Sequence, residues 1–181
     1  MTEQRGRAFI FAVLLLVLGL GFELRGRGQD AKPPESNAQP PIPVGPMTIE
    51  KVFQSNEEYR PRAEAYMPIA SGVEFLKNYP KKIRIEVFYG SWCGDSRDHM
   101  PSFLKIVSAA NNPNIEVCIW AVDRAKREPA DLVKSRRIVR VPTFIVFTDD
   151  KELGRIIERP TTTLEEDLYR ILVDSAAGAR A

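Results

Sequence analysis

The chain has 181 residues, 44% of them hydrophobic, which is enough to bury one good core and hardly two. Its formal net charge is only +2 and its lysines and arginines are spread along the sequence, so no nucleic-acid partner is expected. With one histidine and two cysteines, the composition excludes a His-rich metal site and a disulfide scaffold, and we expect neither a metal nor a cofactor.

The N-terminal segment, residues 1–27, is predicted to be a targeting element. Arg5 and Arg7 precede an apolar run from Ala8 to Phe22. This run has the length of a signal-peptide hydrophobic region and falls short of the roughly 20 residues that comfortably span a bilayer. A cleaved signal peptide and an uncleaved signal anchor both stay open. Either one is expected to place the domain on the extracytoplasmic side, periplasmic or extracellular, and an uncleaved segment would hold it at the membrane through residues 8–22.

The next segment, residues 28–46, is rich in proline and almost free of large apolar side chains. Such a stretch cannot bury enough surface to offset the entropy lost on ordering, so it is predicted to be a semi-extended linker. The pattern becomes globular at Met47, and residues 47–181 are predicted to form the folded domain.

The folded domain is predicted to be α/β. Two short helices come first, one with Ile49, Val52 and Phe53 on one face and one over residues 72–79. The elements that follow are a strand in 81–90, a helix, a strand in 114–123, a helix in 130–138, a hairpin of strands in 141–150 and 152–159, and a last helix capped by residues 161–163. This order implies a mixed central sheet with helices on both faces.

Cys93 is the candidate reactive residue, because it lies where the first long strand runs into a helix. Unpaired backbone N–H groups and the positive end of the helix dipole stabilise a thiolate at such a position. Trp92 and Gly94 flank the sulfur, and a glycine there allows another backbone to approach closely.

These residues resemble the active-site loop of the thioredoxin family. Trp92-Cys93-Gly94 follows a strand, Pro101 lies eight residues after Cys93, and Val141-Pro142-Thr143 precedes an apolar strand, as the family's cis-proline loop does. The resemblance covers roughly residues 81–176. It implies a thioredoxin-like fold, a thiol–disulfide chemistry, and a substrate groove formed by Trp92, Gly94, Arg140, Val141, Pro142 and Thr143.

The sequence departs from the family at the second cysteine. The motif reads Cys93-Gly94-Asp95-Ser96, so Ser96 stands in the place of the resolving cysteine. A serine hydroxyl can donate a hydrogen bond to a thiolate but cannot attack a mixed disulfide. Val87 stands where the family often has a buried acid, and Arg140 where a glycine usually precedes the cis-proline loop.

Two functional hypotheses follow. In the first, the domain is a monothiol disulfide oxidoreductase with Cys93 as nucleophile and Ser96 as its hydrogen-bond donor, and its partners are protein or small-molecule thiols and disulfides. In the second, it is a non-catalytic binding or chaperone-like domain that takes extended peptides in the same groove. Whether the protein is an enzyme stays open between them.

Cys118 and His99 receive structural interpretations. Cys118 lies in an apolar strand and is expected to fill the core as a small hydrophobe. His99 follows Asp95 by one helical turn, which is typical of an exposed polar pair on a helix surface.

Overall fold

The structure is a computed structural model that describes residues 41–178. The predicted targeting segment, residues 1–27, and residues 28–40 of the predicted linker lie outside this range. Within it, no helix is both long enough and apolar enough to cross a membrane.

The described chain forms five strands and six helices. They are β1 (Gly45–Met47), α1 (Ile49–Gln54), α2 (Tyr59–Ala65), α3 (Ala70–Lys77), β2 (Ile83–Tyr89), α4 (Gly94–Ala110), β3 (Ile115–Ala121), α5 (Ala130–Ser135), β4 (Thr143–Thr148), β5 (Lys151–Ile157) and α6 (Leu164–Gly178). The α/β prediction and the order of elements from residue 81 onward are confirmed.

The strands form one sheet in the order β1-β3-β2-β4-β5. β2 and β3 are parallel, with Tyr89 beside Ala121, and the other neighbours are antiparallel. The sheet is therefore mixed, as predicted. The central strand β2 ends at Tyr89, at the carboxyl edge of the parallel pair, and the segment that contains Cys93 starts there.

The main core lies on one face of the sheet. Alternate residues of β2, Ile85, Val87 and Tyr89, point to this face, which follows from the two-residue period of a strand. They pack in one buried cluster with residues of α1, α2, α3, α4 and α6: Val52, Tyr59, Leu76, Phe103, Leu104, Leu168 and Leu172. Val87 is fully buried in this apolar cluster.

The other face of the sheet has a smaller apolar cluster. Among the described helices, only α5 contributes to it, through Leu132 and Val133. Trp92 and Cys93 pack at its border, so the candidate thiol lies where this second cluster meets the end of β2. Glu86, also on β2, is buried and accepts hydrogen bonds from Arg136 at 2.6 and 2.9 Å.

Two sequence expectations differ from the structure near β1. Gly45 and Pro46, assigned above to the linker, pair with Ala121 and Trp120 as the edge strand of the sheet. Because β1 reaches only the last residues of β3, the first half of β3 has a neighbour on one side only. Cys118 is half-buried rather than in the core; it lies beside Glu86 on the face of the sheet that has the smaller cluster, with its Sγ 3.7 Å from Glu116 Oε1.

Candidate functional site

Cys93 is held in the turn between β2 and α4. Its backbone is extended (φ −92°, ψ 131°), which places it at the N-cap of a 17-residue helix. Its N–H donates to Gly90 O at 2.9 Å, and its carbonyl accepts the N–H of Arg97 at 3.0 Å as the first bond of the helix. The thiol is free and half-exposed. The Cys93 side chain makes no hydrogen bond to the N–H groups of the first helical turn.

The loop that precedes β4 meets the sulfur from the other side. Cys93 Sγ donates to Val141 O at 3.2 Å, and the Val141–Pro142 peptide bond is cis. Val141, Pro142 and Thr143 are buried, and Thr143 Oγ1 donates to Arg140 O at 2.7 Å. The predicted residues of this loop therefore lie next to the thiol, with Val141 in direct contact.

Ser96 is fully buried one turn into α4. Its Oγ accepts the N–H of Gly90 at 3.2 Å. Within the described residues its Oγ has no hydrogen bond with Cys93 Sγ. Ser96 thus connects the start of α4 to the segment that follows β2.

Trp92 covers the turn. Its Nε1–H donates to Val122 O at 3.0 Å, beyond the end of β3. A Cβ on Gly90 would lie 2.6 Å from the indole Cε2 of Trp92, so the ring needs glycine beneath it. Arg124 and Lys126 lie over the ring, at 5.6 and 5.5 Å from its centroid, within the range of cation–π contacts.

The charged side chains nearest the predicted groove are mostly paired. Asp95, next to the thiol in sequence, accepts from Arg159 Nε at 2.8 Å, and Arg140 Nη1 donates to Glu158 at 2.6 Å. Arg140 is exposed, and its charge is half of an ion pair. Gly94 is exposed as well, and no atom outside its own helix lies within 4 Å of where its Cβ would be.

Some buried polar atoms near the site lack a hydrogen-bond partner within residues 41–178. Three buried side-chain polar atoms have no hydrogen-bond partner in the described part of the chain: Tyr59 Oη, Arg97 Nε and Trp120 Nε1. Burial raises the pKa of Tyr59, and the charges of Tyr89 and Cys93 add to that rise. In the place of the family's buried acid the structure has only the apolar Val87.

His99 is half-buried, and burial lowers its pKa although Asp98 and Asp95 oppose this. In residues 41–178 no group of three or more His, Cys, Asp or Glu side chains is arranged to hold a metal ion.

Of the predicted site residues, the structure brings Trp92, Cys93 and Val141 together. Sequence reasoning missed Arg124, Lys126 and Arg159, whose proximity to the site depends on the fold.

A family model described as thioredoxin matches residues 47–169. Mitochondrial thioredoxin-3 of Saccharomyces cerevisiae is 30% identical over 81 residues, which are 45% of this chain and 59% of the yeast protein. A thioredoxin of Coprinus comatus is 30% identical over 91 residues, 50% of this chain and 82% of that protein. Among solved structures, a Pseudomonas aeruginosa protein of unknown function matches with a TM-score of 0.46 and 20% identity, over 72% of this chain and 78% of that one.

The match with the yeast relative thus spans less than two thirds of that protein's length. The family model covers well over half of the present chain, and it includes Cys93, Ser96 and the Val141–Thr143 loop. The protein belongs to the thioredoxin family.

Proposed function

We propose that this protein is a monothiol disulfide-exchange protein that acts outside the cytoplasm through Cys93. The observation that carries the proposal is the placement of a free, half-exposed thiol at the N-cap of α4, with Ser96 in the position of a second cysteine. Family membership supports a thiol–disulfide chemistry, and the absence of a cysteine at position 96 limits it to one sulfur.

The first step is attack by the Cys93 thiolate on one sulfur of a substrate disulfide. A bond forms between Cys93 Sγ and that sulfur, the substrate S–S bond breaks, and the second sulfur leaves as a thiolate that takes a proton from solvent. Trp92 and Pro142 shape the groove on either side. Ser96 Oγ accepts the Gly90 N–H through a lone pair, so its single O–H hydrogen is available for donation to a sulfur anion.

The second step needs a thiol from another molecule. Ser96 cannot attack the mixed disulfide, and Cys118 lies on β3 with its Sγ hydrogen-bonded to Glu116. Burial raises the pKa of the Cys118 thiol, and Glu116 raises it further, which makes it a poor nucleophile at neutral pH. A protein or low-molecular-weight thiol attacks the substrate sulfur, forms a new disulfide with it and returns Cys93 as the thiolate.

The proposed location depends on the N-terminal sequence alone. Arg5 and Arg7 followed by the apolar run from Ala8 to Phe22 favour export or a membrane anchor. In cells that express the full chain, a thiol reagent that does not cross membranes is expected to label Cys93 without lysis. Labelling that appears only after lysis would contradict the extracytoplasmic location.

The exchange reaction is tested on the full-length protein with Cys118→Ala as the background. Incubation with bis(hydroxyethyl) disulfide is expected to add one mercaptoethanol adduct, seen by intact mass spectrometry, and excess free thiol is expected to remove it. Cys93→Ser in the same background is the matched control and should gain no adduct. If the folded protein gains none either, monothiol exchange is wrong.

The second candidate is a domain that only binds extended peptides in the same groove. Ser96 and the apolar Val87 favour it, because both replace groups that the family's full dithiol cycle uses. It predicts that Cys93→Ser leaves partner binding unchanged. Partner binding by Cys93→Ser therefore separates the two candidates, because the exchange reaction requires the thiol and peptide binding does not.

A further inference from the structure

The Trp92 side of the site has a local excess of positive charge. The loop between β3 and α5 lies along Trp92 and carries Arg124, Lys126 and Arg127. Arg124 and Lys126 lie over the indole ring, and Arg124 is exposed. None of these three side chains takes part in the ion pairs of residues 41–178. Lys126 Nζ donates only to a carbonyl, Arg124 O, at 3.4 Å.

The acids of the same loop are directed to backbone groups. Asp123 accepts the N–H groups of Ala125, Arg127 and Glu128 at 3.1, 2.6 and 2.9 Å. These backbone hydrogen bonds lower the pKa of Asp123, so its carboxylate stays ionised while holding the loop closed. Glu128 accepts the N–H of Ala130 at 3.0 Å. Neither carboxylate forms an ion pair with a cation over Trp92.

The Val141 side of the site has a different balance. There Arg140 is paired with Glu158, and Arg159 with Asp95, at 2.6 and 2.8 Å. Each cation has its own carboxylate, so this side is close to neutral. The two loops that flank Cys93 therefore differ in charge, since the cations of the loop along Trp92 form no ion pair in the described part of the chain and those of the Val141 side do. Arg97 of α4, which lies in neither loop, also has an Nε without a partner in residues 41–178.

We propose that the Trp92 side binds negative charge, so that the disulfide on which Cys93 acts carries a carboxylate close to its reacting sulfur. This inference rests on the exchange reaction proposed above and names its substrate class. The carboxylate lies against Arg124 and Lys126 while Cys93 Sγ bonds to the neighbouring sulfur and the other half leaves as a thiolate. A carboxylate-bearing small disulfide and an acidic segment of a protein share this chemistry.

The test compares three disulfides of similar size in the Cys118→Ala full-length protein: dithiodipropionate, bis(hydroxyethyl) disulfide and cystamine, which are anionic, neutral and cationic. Each rate of adduct formation is divided by the rate with a neutral model thiol, which removes intrinsic differences between the compounds. At low ionic strength the normalised rate of the anionic compound is expected to be about tenfold that of the cationic one, since each exposed charge pair changes the rate by roughly two- to fivefold. The ratio should fall towards one at about 1 M salt, where the screening length is about 3 Å.

The variant Arg124→Gln/Lys126→Gln is expected to lower the anionic-to-cationic ratio about fivefold or more. The matched control, Lys81→Gln/Lys82→Gln, removes the same charge from exposed residues just before β2, at the opposite end of that strand from Cys93, and should leave the ratio unchanged. Peptide disulfides with Asp or Lys beside the cysteine distinguish a small anionic disulfide from an acidic protein segment. Faster reaction of the Asp peptide than of the Lys peptide points to the protein segment.

The outcomes separate this inference from the proposed function. If no disulfide reacts, the exchange reaction is wrong and this inference with it. If all three react at equal normalised rates, or if both double variants change the ratio equally, only the anionic substrate class is overturned. The salt dependence of the unaltered protein gives an independent measurement that does not require the variants to fold.

Discussion

Ser96→Cys restores the second sulfur and is expected to convert the site from one thiol to a dithiol. Position 96 lies one turn after the N-cap Cys93, on the buried side of α4, and its side chain is directed to the turn at Gly90. In the Cys118→Ala background the new thiol should form a disulfide with Cys93 under oxidising conditions. The variant should then release a bound substrate without an external thiol.

The magnitude follows from two opposing terms. Replacing the Ser96 hydroxyl weakens its hydrogen bond with the Gly90 N–H, which costs about 1 kcal/mol in the reduced protein. Closing the short loop 93–96 restricts the unfolded chain and stabilises the oxidised protein by about 2 kcal/mol on the chain-entropy relation. The reduced variant should therefore be about 1 kcal/mol less stable than the unaltered protein, and the oxidised variant about 1 kcal/mol more stable.

The assay has three parts: thiol counting by alkylation and mass spectrometry, urea unfolding of the oxidised and reduced forms, and reduction of insulin disulfides. Ser108→Cys is the matched control, since this exposed residue of α4 lies about 20 Å along the helix from Cys93 and cannot reach it. If the folded Ser96→Cys variant keeps two free thiols under conditions that oxidise a model dithiol, then position 96 does not face Cys93 and the reasoning is refuted.

Three further predictions concern the scaffold and are read out by urea unfolding. Tyr59→Phe removes a buried hydroxyl without a partner and should leave stability unchanged or raise it by about 1 kcal/mol; a loss would mean that the hydroxyl is hydrogen-bonded in solution. Burial raises the pKa of Glu86, but the hydrogen bond and the charge of Arg136 outweigh burial, and the net effect is a lowered pKa. The ionised carboxylate therefore stabilises the fold at neutral pH, and this stabilisation is lost as the pH falls below the ordinary glutamate range. Glu86→Gln should cost about 2 kcal/mol at neutral pH and flatten that acid dependence; an unchanged acid limb would contradict it. Gly72→Ala would place a Cβ 2.5 Å from Glu165 Cβ and should lower the free energy of unfolding by about 1–3 kcal/mol, although alanine is the better helix former. A stabilised variant would show that α3 and α6 move apart freely.

The sequence predicted the elements whose signals are local. Ile83, Ile85 and Val87 alternate in a strand, and all three are buried on the main core face. Thr163 was predicted to lie in a cap, and its Oγ1 accepts the N–H of Glu166 at 3.2 Å. Both signals depend on neighbours within a few residues, so the rest of the fold is not needed to read them.

The missed elements are those that other parts of the chain stabilise. β1 is three residues long and contains Pro46, so it has no strand pattern of its own and forms because it pairs with β3. α2 has Pro61 in its first turn and buries only Tyr59 and Ala63. An apolar face that small gives no helical period in the sequence, although proline is well tolerated in a first turn.

The electrostatics of the site were the least predictable part. Asp95 and Arg97 lie within a few residues of Cys93 in the sequence. The structure pairs Asp95 with Arg159, which is 64 residues away in the chain, and leaves the Nε of Arg97 buried without a partner. The cation–π contact of Arg124 with Trp92 is equally non-local. Local composition is therefore a poor guide to the charge near a thiol that remote loops surround.

The turn that carries Cys93 is held by hydrogen bonds to the neighbouring elements. Cys93 N–H donates to Gly90 O, Gly90 N–H donates to Ser96 Oγ, and Trp92 Nε1–H donates to Val122 O. These three hydrogen bonds fix the start of α4 against the ends of β2 and β3, and none of them uses a second sulfur. In the proposed exchange reaction, the serine at position 96 leaves the release from a mixed disulfide to another molecule, while these hydrogen bonds hold the Cys93 thiol in place for the first step.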